Sequence, residues 1–126
     1  LILHGTNDAN FGASDSAVTN AVTALLPALR SAAGPSAHIF LTIPFGGFKR
    51  TPITSAFNAQ SDPKTHLLDL GTPIQSTLAT GGLYTNDALH PNTRGHATLA
   101  AQLLTQIHPL ITTPTTFQAS TGNFQI

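Results

Sequence analysis

The sequence predicts an α/β domain in which a parallel sheet is covered by helices on both faces. Two observations lead to this fold class. Short apolar segments with the character of strands alternate with longer segments in which apolar residues recur at helical spacing. The segment AHIFLTI, residues 37–43, is apolar almost throughout and rich in β-branched and aromatic side chains. Such a run is typical of a parallel strand with helices on both sides.

The first third of the chain is predicted to contain a strand, a loop and a helix. Residues 1–4 form a short apolar run, and the turn-forming sequence GTNDANFG follows it. A helix should begin near Ser14 or Ser16, whose hydroxyls can cap it, and end at Gly34. Pro27 is expected to kink this helix. Its apolar face consists of Val18, Val22, Leu25, Leu26 and Leu29.

The rest of the chain continues the alternation. A weaker helical pattern covers residues 53–60, and the apolar segment HLLDL, residues 66–70, predicts a third strand. Asn92 can cap a last helix, which Pro109 should help to terminate. Residues 112–126 are expected to form a tail or an edge hairpin. The predicted buried face of the last helix consists of Ala97, Ala100, Leu103, Leu104 and Ile107.

The composition fits one small domain, which we assign to residues 1–111 of the 126. Only 8% of the residues are charged, and five Lys or Arg balance five Asp. Neither nucleic acid nor an anionic membrane is therefore an expected partner.

The lack of Cys excludes disulfides and thiolate metal sites. No apolar run approaches the roughly 18 residues of a membrane span. Abundant Thr, Ala, Gly and Pro with few charges is typical of exported proteins, so we expect a secreted or extracytoplasmic location.

Two short motifs suggest catalytic chemistry: GTND, residues 5–8, and DALHP, residues 87–91. In acyl transfer, a neutral imidazole takes the proton of the nucleophile and returns it to the leaving group. The imidazole needs a carboxylate that fixes its tautomer and stabilises its charged form. Asp87 and His90 are three residues apart and can face the same way in a turn. We therefore expect them to be hydrogen-bonded as acid and base.

Together the two motifs resemble those of the SGNH, or GDSL-type, serine hydrolases, whose fold is flavodoxin-like. The intervening SAAGPSAHIFLTIP resembles the family's strand between the motifs, and HPNTRGH resembles the continuation after its catalytic His. The resemblance spans residues 1–111 and implies catalytic roles for His90 and Asp87. It implies that Asn7 donates to the oxyanion, and that Gly5 and Thr6 bind substrate.

The resemblance also implies that part of the machinery lies outside this chain. The family's nucleophilic Ser belongs to a Gly-Asp-Ser block on a strand that precedes the Gly-x-Asn-Asp motif, and a further block supplies a Gly donor. Neither block occurs here, so the domain is expected to be incomplete at its N-terminus. Ser14 and Ser16 are not in a Gly-x-Ser-x-Gly elbow and are interpreted as helix caps.

The expected function is hydrolysis of an ester by a Ser-His-Asp triad, either O-deacetylation of a carbohydrate or cleavage of another short-acyl ester. No cofactor is expected. The expected partners are the ester substrate and an N-terminal segment, or a separate chain, that carries the Ser. The alternative is a truncated or degenerate α/β domain that is not catalytic and only binds a ligand or partner.

Several other residues have two interpretations each. Asp8 either carries a proton or anchors its loop by accepting hydrogen bonds from backbone N–H groups, and we expect the anchoring role. Phe45 and Phe48 either line an acyl or sugar pocket or pack in the core. Lys49 and Arg50 either orient a polar substrate or are simply solvated.

The remaining histidines do not indicate a metal site. They lie far apart in the sequence, without a His-Glu-x-x-His motif and without any Cys, so no zinc site is predicted. These residues are His4, His38, His66, His96 and His108.

The spatial expectations follow from the parallel sheet. Residues 1–5 should form an interior strand, with residues 39–43 beside it and residues 67–70 further out. Because the carboxyl ends of parallel strands share one edge, Asn7 is expected on the same rim of the sheet as His90.

Overall fold

The computed structural model describes residues 1–71, 84–85 and 90–111. The predicted tail at 112–126 and Asp87 lie outside these residues. Within the described ranges, none of the helices has the length and apolar character of a membrane span. The described helices and strands are α1 (Thr6–Asn10), α2 (Asp15–Ala33), β1 (Ile39–Ile43), α3 (Arg50–Asn58), β2 (Thr65–Asp69) and α4 (Thr93–Ile111).

The sheet is small and parallel. Strand β1 pairs with β2 in a parallel register that places Leu41 opposite Leu67. On the other edge of β1, Ile2 forms a parallel bridge with Leu41. The Ile2 amide donates to the carbonyl of Phe40 at 2.8 Å, and the Thr42 amide donates to the carbonyl of Ile2 at 3.1 Å. The spatial order is therefore the N-terminal segment, β1, then β2, as the sequence predicts. The predicted interior strand at residues 1–5 is wrong, however: in the described part of the chain the sheet has two strands, and this segment contributes only the bridge at Ile2.

The core lies on one face of β1. Alternation along the strand directs Ile39, Leu41 and Ile43 to the same side, where they meet apolar residues of α2 and α3. Burial of each large apolar side chain contributes about 1.5–3 kcal/mol. The helical residues of this core are Val18, Val22, Leu26, Ile53 and Ala56.

Helix α2 forms where the apolar spacing predicts it. The Ser14 hydroxyl accepts a hydrogen bond from the Ala17 amide at 3.1 Å and caps the helix. Gly34 ends it with a positive φ of 81°, a conformation that glycine adopts without steric cost. The helix continues through Pro27. Local signals therefore determine both ends.

The bounds of three further segments differ from the predictions. The GTND segment, predicted as a loop, begins the short helix α1 at Thr6. Helix α3 begins at Arg50, before Pro52, because a proline in the first turn loses no intrahelical hydrogen bond. Strand β2 begins at Thr65 and ends at Asp69, one residue earlier than predicted.

Helix α4 begins as predicted, but it does not bury the predicted face. The Asn92 side-chain oxygen accepts from the Gly95 amide at 2.9 Å and caps the helix. The helix continues past Pro109 to Ile111. Its 19 residues span about 28 Å, whereas a five-residue strand spans about 17 Å, so β2 can cover only part of the length of the helix. Of the predicted face, Leu103 and Ile107 are half-buried, and Ala97, Ala100 and Leu104 are exposed.

Candidate functional site

The segments that follow the three paired regions meet at one edge of the sheet, because the pairing is parallel. We call residues 5–8, 44–50 and 69–71 the carboxyl rim. The backbone approaches itself closely there: a Cβ atom at Gly71 would lie 2.5 Å from the Gly47 Cα atom. Gly46 and Gly47 have positive φ values of 84° and 73°. Glycine is therefore required at several rim positions.

Gly5 is the first residue of the rim and is buried. Its φ of 115° is a conformation that residues with a side chain rarely adopt. A Cβ atom there would also lie 3.1 Å from the Phe48 carbonyl oxygen and 3.2 Å from Ile53 Cδ1. Both the backbone conformation and the packing thus explain the glycine of the GTND motif.

The other residues of the motif form the first turn of α1. The Asp8 carboxylate accepts a hydrogen bond from the Gly5 amide at 3.1 Å, which confirms the predicted anchoring role of Asp8. Thr6 is half-buried, and the Asn7 side chain is exposed. The turn is therefore closed on itself by Asp8 and leaves Asn7 at the surface.

His90 is exposed and lies three residues before α4. The segment around it is held by an antiparallel bridge between Thr85 and Pro91 and by the Asn92 amide, which donates to the Tyr84 carbonyl at 2.8 Å. Gly95 packs so tightly on this segment that a Cβ atom would collide with the Tyr84 carbonyl oxygen. The backbone after His90 is thus well supported, while its predicted partner Asp87 lies outside the described residues.

An ion pair joins two elements at the rim. The Arg50 guanidinium donates to both carboxylate oxygens of Asp69, at 2.7 and 3.0 Å. This hydrogen bonding raises the pKa of Arg50 above its ordinary value. Asp69 also accepts from the Gly71 amide at 2.9 Å. Its backbone amide and carbonyl bind the side-chain amide of Gln106, at 2.9 and 3.0 Å. Asp69 therefore links α3, β2 and α4.

The second basic residue of the rim also has partners within the fold. The Lys49 ammonium donates to the Ala13 carbonyl and lies 3.0 Å from the Asp15 carboxylate. Since Arg50 binds Asp69 as well, both cations bridge elements of the fold. Neither is merely solvated, and their described contacts are structural.

The two phenylalanines of the rim differ in burial. Phe45 is buried, 6% exposed, whereas Phe48 is half-buried. Phe48 touches the motif through its backbone, since its carbonyl oxygen faces Gly5. Phe45 thus belongs to the buried core, and Phe48 is the more accessible of the two.

A cleft of about 310 Å³ opens between the N-terminal segment and α2. Its walls are almost entirely apolar, while His4 and Asp8 contribute polar atoms. Sequence periodicity does not reveal this cleft, because its walls come from separate segments. The apolar residues that line it include Ile2, Val18, Val22, Leu25, Leu41 and Ile53.

In the described part of the chain, no three or more His or Asp side chains are grouped so as to hold a metal ion. Comparison with protein families, curated proteins and solved structures finds no match.

Proposed function

We propose that this chain supplies the acid, the base and one oxyanion donor of an SGNH-type serine esterase. The observation that carries the proposal is the turn at residues 5–8. A buried glycine follows a sheet-paired segment, Asp8 closes the turn onto the Gly5 amide, and Asn7 is left exposed at the carboxyl rim. An amide donor at the carboxyl end of a segment paired in parallel is suited to stabilise a developing oxyanion.

His90 is the proposed general base. It takes the proton of a serine hydroxyl as that oxygen attacks the ester carbonyl, and it then gives the proton to the leaving alcohol. Asp87, three residues earlier, accepts the other ring N–H and fixes the tautomer. The exposure of His90 and the Asn92-capped start of α4 support this role, because the ring must meet substrate from a stable backbone.

The proposed nucleophile lies on a further strand beside the N-terminal segment. Ile2 directs its amide and carbonyl to β1, so those of Leu1 and Leu3 point away from β1, as alternation in a parallel ladder requires. Leu1 and Leu3 are 65% and 56% exposed. An added strand would cover this edge, and its apolar side chains would fill the adjacent cleft. We propose that it carries the Gly-Asp-Ser block and extends a sheet that helices cover on both faces.

The proposed substrate is a short-acyl ester, with an O-acetylated carbohydrate preferred. Thr6 and Asn7 offer polar groups at the rim for a hydroxylated leaving group, and the buried Gly5 shapes the turn that presents them. Phe48 is half-buried near this turn and can contact the acyl methyl group. No cofactor is needed for this reaction, and the proposed location is extracytoplasmic.

The test uses the full-length gene product, a serine-reactive fluorophosphonate probe and a chromogenic acetate ester. His90→Ala should lower kcat/KM by about 10⁴-fold or more, and His96→Ala, an exposed histidine of α4, should not. Asn7→Ala should lower kcat by about 10²–10³-fold with serine labelling retained. The matched control is Asn10→Ala on the same short helix.

Two results would contradict the proposal. One is the absence of any serine labelling and any ester turnover by a folded full-length product, which would favour the non-catalytic binding domain. The other is full activity of His90→Ala.

A further inference from the structure

Two histidines that are far apart in the sequence meet at the amino end of the sheet, opposite the carboxyl rim. His38 directly precedes β1, and His66 is the second residue of β2. The His38 Nδ1 and His66 Nε2 atoms are 2.9 Å apart, and the ring planes differ by only 13°. The two rings therefore face each other near the surface, each through one hydrogen-bonding nitrogen.

The neighbouring Phe40 restrains both rings. Its ring stacks on His66 with centroids 5.2 Å apart, and it lies parallel to the His38 ring at 6.1 Å. Phe40 is itself buried and pairs with His66 in the β1–β2 register. The two imidazoles are therefore positioned by adjacent strands and by a shared aromatic contact, which reduces the entropy lost when a ligand fixes them.

We propose that His38 and His66 form a two-histidine site for a divalent transition-metal cation of the Zn²⁺ type. Imidazole nitrogens are preferred ligands of such cations, with Zn–N distances of about 2.0–2.1 Å. A tetrahedral ion bound by both nitrogens would set them about 3.3 Å apart. Binding therefore replaces the direct hydrogen bond between the two nitrogens: they separate by a few tenths of an ångström, and both rings turn so that their lone pairs converge on the ion. The site is independent of the proposed esterase function.

Water completes the coordination. His38 is exposed and His66 half-buried, so the open side of the pair faces solvent. The nearby Asp62 carboxylate is already used: it accepts from Arg30 at 2.8 Å and from the Thr65 hydroxyl at 2.7 Å. A third protein ligand is therefore not part of the proposal.

The protons of the pair are compatible with metal binding. In the hydrogen-bonded pair, one of the two facing nitrogens carries a proton. When the metal binds, the ring with that proton changes tautomer and carries the proton on its other nitrogen. Both facing nitrogens then have a free lone pair for the metal. Burial, and then the neighbouring His38, lower the pKa of His66, while Asp62 has the opposite, smaller effect. The neutral imidazole is the form that binds metal.

Titration calorimetry of the full chain with ZnCl₂ in a non-coordinating buffer at neutral pH tests the site. The expected result is one Zn²⁺ bound per chain. His38→Gln and His66→Gln should each weaken binding by about tenfold or more. His96→Gln should bind like the wild type, and Mg²⁺, which prefers oxygen ligands, should not bind. Absence of Zn²⁺ binding, or unchanged binding in both variants, would overturn the proposal.

A second measurement on the unaltered chain needs no variant. Diethyl pyrocarbonate acylates accessible imidazoles, and peptide mass spectrometry locates each modified histidine. Zn²⁺ should protect His38 and His66 and leave His96 reactive. Equal reactivity of all three residues with and without Zn²⁺ would refute the site, even if the glutamine variants did not fold.

Discussion

At the scale of single residues, Gly5 is where the backbone constrains the sequence most clearly. Its positive φ and its close neighbours are independent constraints, because one concerns the backbone and the other the space for a side chain. The same residue opens the turn that supports the functional proposal. A substitution there thus probes fold and site together.

We expect Gly5→Ala to destabilise the fold by about 2–4 kcal/mol, because backbone strain and contacts near 3.1 Å add together. Denaturant unfolding followed by circular dichroism measures the loss. The matched control is Gly12→Ala, since Gly12 also has a positive φ, 73°, but nothing lies within 4 Å of the added Cβ. That variant should lose only about 1 kcal/mol. Equal losses in the two variants would show that packing at Gly5 is unimportant.

Asp62 should make stability depend on pH in the acid range. Its hydrogen bonds from the Thr65 hydroxyl and the Lys64 amide, and then from Arg30, lower its pKa from 3.8 to about 2. Because the folded pKa is the lower one, the stabilisation is present above about pH 4 and is lost as the pH falls towards 2. The measurement is the denaturant concentration at the unfolding midpoint, taken between pH 6 and 2, roughly the range in which carboxyl groups titrate. As the pH falls, this midpoint should decline less steeply in Asp62→Asn than in the wild type. The control Asp15→Asn alters a more exposed carboxylate, and it should keep the wild-type slope.

At the scale of secondary-structure elements, α4 is attached to the sheet by a polar contact. The side-chain amide of Gln106 binds both backbone groups of Asp69, as a neighbouring strand would. Asp69 in turn binds Arg50 of α3. The three elements therefore depend on one another through Asp69, and the apolar face of α4 contributes less than its spacing suggests.

We expect Gln106→Ala to lower the free energy of unfolding by about 1–3 kcal/mol, because two hydrogen bonds to part-buried backbone groups are lost. Hydrogen exchange of the Asp69 amide should become faster in the same variant. Gln102→Ala, one helical turn earlier on α4, is the control for helix propensity and should change neither measurement. If both variants behaved alike, the attachment of α4 would not depend on Gln106.

At the scale of the whole molecule, the N-terminal segment leaves an edge that favours association. Leu1 and Leu3 are largely exposed there, and their backbone groups point away from β1. An uncovered strand edge with apolar side chains is a template for pairing with another chain. In the proposed enzyme, a further strand covers it.

The 126-residue chain by itself should consequently self-associate and lack esterase activity. Light scattering after size-exclusion chromatography measures the association. Leu3→Lys should reduce it, because a charge on a strand edge opposes pairing. Leu104→Lys, at a 67% exposed position of α4, should not. A stable wild-type monomer that hydrolyses esters would contradict both the proposed edge and the proposed source of the nucleophile.

The sequence alone determined the features that depend on neighbouring residues. The ends of α2 follow from the Ser14 cap and the Gly34 terminus, and the start of α4 follows from Asn92. The apolar runs predicted both paired strands to within two residues. The anchoring role of Asp8 was also predictable, because its carboxylate reaches an amide only three residues away. Capping, turn chemistry and strand patterning act locally, so they are readable before folding.

Which distant residues meet depends on the three-dimensional packing of the chain. Arg50 and Asp69 are 19 residues apart, His38 and His66 are 28 apart, and Gln106 is 37 residues from Asp69. The register of β1 on β2 creates the histidine pair: a shift of one residue would turn His66 to the opposite face of the sheet. The histidines therefore looked scattered in the sequence. Strand register and helix docking are set by the packing of the whole core, which sequence periodicity does not specify.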